Sequence, residues 1–163
     1  MKRERPAVQT RRAMRARRVT LLLVAPLVVP LVATCAAFEG AVDPTFGLPD
    51  LVVASPTLSR DVQPIFDRRC AFGGCHSSAT RQGGLTLVAG ASRAALVGRP
   101  ARLSPGDTLV VAGASVRSWL VRMIGDDSAA RAGVSRMPLA APALTANQRA
   151  TIARWIDRGA PPD

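Results

Sequence analysis

The chain has no tyrosine and a single histidine, and beyond Lys2 it has no lysine. Each scarcity closes off a class of function. A lone histidine excludes any site built from several imidazoles. Aromatics are few: from Ser59 onward only Phe66, Phe72, Trp119 and Trp155 occur, so that part can bury one small, thin core. No internal repeat or low-complexity tract is present, which removes solenoids and arrays. The formal charge of +11 suggests nucleic acid, but residues 1–18 hold eight Lys/Arg against one Glu, a net of +7, and this leaves +4 for the rest. Charge gathered at one end in this way is not the basic face of a nucleic-acid binder.

What is there begins with that basic run and the apolar, uncharged stretch "VTLLLVAPLVVPLVATCAA" at residues 19–37. A positive n-region, an apolar stretch and small residues at its end form an export signal. Pro26 and Pro30 each remove a backbone donor and weaken a continuous spanning helix. Cys35, in "LVATC", resembles the cleavage box of a bacterial lipoprotein. Two routes to a membrane tether are therefore open: lipidation of Cys35, or an uncleaved N-terminal helix. The expected organisation is a signal peptide or anchor over 1–36, a flexible linker rich in Pro, Gly and Asp over 37–58, and a folded domain over 59–163. The expected location is exported and periplasmic.

Three helices are predicted in that domain. "DVQPIFDRRC" carries Val62, Ile65, Phe66 and Arg69 on one face, with Pro64 tolerable in the first turn. In "SVRSWLVRMIG", Val116, Trp119, Leu120, Met123 and Ile124 follow a helical stripe, with Ser115 as N-cap and Gly125 as the stop. "TANQRATIARWIDRG" opens on a Thr145/Gln148 capping box, turns Ile152, Trp155 and Ile156 inward and ends at Gly159. A short helix is expected near Arg93–Val97, a type II turn at Pro105-Gly106, and a strand-like run at 109–112. The predicted class is all-α.

The chemistry gathers at "CAFGGCH", residues 70–76. A thioether-bound haem needs two thiols near its vinyl groups and a histidine directly beyond them. The usual spacing has two residues between the cysteines; this one has four. One histidine suffices as proximal ligand, and it rules out bis-histidine ligation and any further c-type haem. Two methionines remain in the domain. Met123 falls in a helical stripe and reads as core, whereas Met137, followed by Pro138 on a loop, is free to reach iron. Other readings stay open: a Cys70–Cys75 disulfide in a haem-free structural domain, or a haem sensor whose distal position is empty. Zinc is poorly served, because two cysteines and one histidine fall short of the four ligands that close a structural site. No catalytic constellation stands out. Asp126-Asp127 read more simply as a solvated helix end, so an enzyme is not expected.

Taken in order, "DVQPIF", "GCH", "GGLTL", "SWLVRM", "RMP" and "LTANQRATIARWIDRGAPP" resemble the class I cytochrome c fold, and in particular the cytochrome c-like domains common in planctomycetes and myxobacteria. The resemblance spans roughly Ser59 to Pro161. It implies a small helical domain around one covalently attached haem c. By position, Cys70 and Cys75 would carry the thioether bonds, His76 the proximal ligand and Met137 the distal one. It further implies that the first and third helices cross near the haem edge, with Trp155 packed there, and that redox proteins are the partners. The widened motif is the departure, with Gly73 and Gly74 free of Cβ restrictions to form a bulge.

Overall fold

The computed structural model describes residues 43–128, 131 and 133–163, all within the unit Ala41–Asp163. The export signal, Cys35 and the first part of the linker lie outside the described residues. No described helix is long and apolar enough to cross a membrane.

Regular structure among the described residues is helical, joined by long irregular stretches. A π-helical turn, Leu58–Val62, runs directly into α1 (Gln63–Arg69). Pro64 sits at its start, where its missing N–H costs no intrahelical bond. Val62, Ile65, Phe66 and Arg69 are all buried, as their spacing requires. Short helix α2 (Ser92–Leu96) follows. α3 (Trp119–Ile124) and α4 (Ala146–Asp157) complete the set.

α4 obeys local rules from end to end. The Thr145 hydroxyl accepts from Gln148 N–H at 3.1 Å, and the Gln148 side chain accepts from Thr145 N–H at 3.1 Å. At the other end Gly159 (φ +94°) reverses the chain. Its N–H bonds Ile156 C=O, and Ala160 N–H bonds Trp155 C=O, which is the Schellman pattern. Between the caps Ile152, Trp155 and Ile156 are fully buried, each worth about 1.5–3 kcal/mol of transfer free energy. They form the centre of a core with Val62, Phe66, Leu96, Val110, Leu120 and Leu144. Ala101, Trp119 and Met123 make a smaller second cluster, and Leu109 and Met137 touch both.

Three expectations need correction. The helix read from Ser115 starts only after Ser118. Residues 115–117 form a 3₁₀ turn instead, and Val116 is 84 % exposed rather than part of the stripe. The cause is Ser115, whose N–H and hydroxyl are both held by the Asp157 carboxylate at the end of α4. That anchor shifts the phase of the turn. The run at 109–112 forms a single isolated bridge, Val110 with Val97, and no strand. Pro105-Gly106 does turn as expected, with Gly106 at φ +95° and Asp107 N–H on Ser104 C=O.

Residues 43–57 are the third correction, for they are held against the domain where their composition suggests a loose linker. Arg68 donates to Phe46 C=O at 2.8 Å, and the Arg69 guanidinium lies 3.8 Å from the Phe46 ring centroid while donating to Pro44 C=O. Gln148 reaches Thr45 C=O, and Thr145 and Asn147 bond Asp50. The segment straps the end of α1 to the start of α4.

Candidate functional site

Cys70 caps the C-terminus of α1, its N–H on Phe66 C=O at 2.8 Å. The chain then leaves the helix axis. Residues 72–75 make a tight turn, Cys75 N–H to Phe72 C=O at 3.1 Å, with Gly74 at φ +83°. His76 N–H returns to Cys70 C=O at 3.0 Å. The surplus residues therefore bulge outward while Cys70 and His76 stay bonded backbone to backbone. Gly74 is the position that needs glycine, since an L side chain pays about 1–2 kcal/mol in that region.

His76 is fixed on its far side as well. Its C=O accepts from Leu87 N–H at 2.8 Å, and its Nδ1 lies 3.1 Å from Gln82 C=O. A carbonyl only accepts, so the proton of that bond sits on Nδ1 and the Nε2 lone pair is left to face outward. Metal-bound histidines are oriented in this way. The segment carrying Leu87 is in turn held by a buried polar knot: Gln63 donates to Leu87 C=O at 2.8 Å and accepts from Ser92 Oγ at 2.6 Å.

Beside His76 lies a cavity of about 280 Å³, whose empty space including its open mouth is about 1,100 Å³. Its walls are mainly apolar, with Leu85, Leu87, Leu96, Leu109, Trp119 and Leu120 among them, and Cys70, His76, Met123 and Met137 all face it. Arg99 and Arg102 also line it; both are exposed, which puts their charges at the rim. No family model, curated protein or solved structure matches the chain. What the site can do follows from its own residues.

Of the four residues singled out from sequence, the fold brings Cys70, His76 and Met137 to one cavity, while Cys75 is outside its lining. Both thiols are free. Burial in apolar surroundings pushes the Cys70 thiol up to about 12, against the opposing pull of the Arg69 charge, so it is a protonated thiol at neutral pH. Met137 is positioned by its N–H on Met123 C=O at 2.8 Å. Met123 is 6 % exposed and packs on Trp119, as the core reading requires. It nonetheless faces the same cavity, because α3 is one of the walls.

Trp155 does not stand at the site. It is buried in the main core with Nε1 on Pro161 C=O at 3.0 Å, and the indole that faces the cavity is Trp119. No group of three or more His, Cys, Asp or Glu among the described residues is arranged to hold a metal ion. Sequence reasoning missed Arg99, Arg102 and the Gln82 carbonyl. None of these has a pattern of its own, and only the fold brings them to the cavity.

The donor set fits a haem. An imidazole with a free Nε2, a thioether on a separate loop and an apolar wall are what a His/Met-ligated haem needs, and the wall carries one of the two thiols for covalent attachment, Cys70. The open mouth gives a macrocycle larger than the enclosed volume room to project toward solvent.

Proposed function

We propose that this chain is an exported, mono-haem c-type cytochrome domain that passes one electron at a time between redox proteins. The observation that carries the reading is the convergence of Cys70, His76 and Met137 on one apolar cavity, with His76 already oriented through Nδ1 by Gln82 C=O. Bound there, haem would supply one-electron chemistry, taking an electron from a reduced partner and returning it to an oxidised one.

The chain's own residues do the rest. His76 would hold iron through Nε2, and its bond to Gln82 fixes the ring plane and keeps the proton on Nδ1. Met137 would supply the second ligand through its thioether, and His/Met ligation raises the potential. Leu85, Leu87, Leu96 and Trp119 keep water from the group. Cys70 would provide one thioether from the cavity wall, and Cys75 the second through movement of the glycine turn. The periplasm is the proposed location, with a membrane tether through Cys35 lipidation or the N-terminal helix.

Expression of the full chain with a c-type maturation system, followed by intact mass and haem staining, tests this reading. The expected result is one covalently bound haem, with a sulfur-to-iron absorption band that Met137→Ala removes. A folded protein that carries no haem sinks it. A band lost in Met123→Ala instead moves the distal ligand to α3.

A further inference from the structure

Two arginines stand directly before two residues of the cavity wall: Arg69 before Cys70, and Arg136 before Met137. Arg69 is 2 % exposed, and its guanidinium is held by the backbone carbonyls of Pro44, Pro142 and Ala143 and by the Phe46 ring face, with no carboxylate among these partners. Arg136 has its Nη1 buried without a hydrogen-bond partner. Among the described residues no carboxylate pairs with either one; the ion pairs lie elsewhere, at Arg60–Asp61, Arg122–Asp107 and Arg149–Asp126. A buried charge is normally paired, yet Arg69 has no carboxylate, and the half-buried Arg136 acts on it as a second positive charge. Burial pushes the Arg69 pKa down, with the Arg136 charge acting in the same direction against the pull of Cys70, yet a guanidinium stays protonated.

We propose that Arg69 and Arg136 form an uncompensated cationic pair that sets the reduction potential of the group bound in this cavity, holding it toward its reduced form. The inference rests on the haem reading above. Reduction takes one electron from a reduced partner protein and lowers the charge on iron by one, with no bond made or broken. Fixed positive charge nearby favours that lower charge. Because the Arg69 side chain and the Arg136 Nη1 are shielded from water, salt screens them less than surface charges. Carbonyl ligation suits the role, since it anchors Arg69 without neutralising it.

The test is potentiometric titration of the haem-loaded full chain, followed by absorption, for Arg136→Gln, Arg69→Gln and Arg69→Lys. Both glutamine variants are expected to shift the potential downward with the sulfur-to-iron band intact, and the lysine variant to stay near the parent. Arg136→Gln keeps the proposal falsifiable even where Arg69→Gln fails to fold, because the orphaned Nη1 leaves little to lose. An unchanged potential in Arg136→Gln, with haem bound, overturns this proposal alone. So does a shift in Arg69→Lys as large as in Arg69→Gln, which would make Arg69 a packing residue. Protein that carries no haem overturns both this proposal and the reading beneath it.

Discussion

Helix α4 and the segment from Cys70 to Leu87 are built on opposite terms. α4 has a capping box at one end, a glycine reversal at the other and an unbroken inward stripe between them. Each of these is a local device that the residues alone specify. The segment 70–87 is mostly turns, closed on itself by bonds from His76 to Cys70 and from Leu87 to His76, and placed in the fold by a bond from outside it, Gln63 to Leu87. The frame is thus locally coded and the site tertiary. Damage to α4 should appear as lost stability, and damage to the loop as lost site geometry.

The largest expected effect is on the frame. Trp155→Ala removes a fully buried indole and should cost about 3–5 kcal/mol, read as a shift in the urea midpoint with little change in slope. If the loss is under about 1 kcal/mol, α4 is not the centre of the core. Next comes Gly74→Ala. The space around that Cβ is open, so the cost is the positive φ alone, about 1–2 kcal/mol. This variant should reduce the fraction of doubly attached haem by mass more than it changes the midpoint. The reverse outcome would make the bulge part of the frame.

Thr145→Ala removes the capping hydroxyl and should cost about 1 kcal/mol, leaving the haem spectrum unchanged. The smallest effect is electrostatic. Hydrogen bonds from Arg122 and then Ser104 hold the Asp107 carboxyl below the usual aspartate range. An unfolded aspartate titrates near 3.9, so this contribution is complete above about pH 4 and lost as pH falls through the lower folded value. Between about pH 4 and 2 the parent should lose stability more steeply than Asp107→Asn. Parallel curves would show the pair to be idle, as exposed ion pairs often are.

How much could be read from the residues divides along the same line. The faces of α1 and α4, the capping box, the Gly159 stop and the Pro105-Gly106 turn were all legible, because periodicity and turn chemistry act within a few residues. Val116 was misplaced because Asp157, distant in sequence, fixes Ser115 and alters the turn before α3. The strap at 43–57 has no period to detect; it is held by Arg68 and Arg69 donating to its carbonyls. At the site, residue chemistry pointed to Cys70, His76 and Met137, and the fold places them together. It could not separate Cys70, which faces the cavity, from Cys75, which does not.

The bond from His76 N–H to Cys70 C=O has a consequence for how such motifs are counted. It closes residues 71–75 into a loop and holds the two ends of that loop together at its base. The separation of thiol and imidazole is then set by one hydrogen bond rather than by the number of intervening residues. Lengthening a flexible loop raises its closure entropy only slowly, by roughly 0.6 kcal/mol per doubling. Spacing in this motif is therefore a poor ruler: a variant with one or two glycines added after Gly73 should present Cys70 and His76 to the cavity much as this chain does.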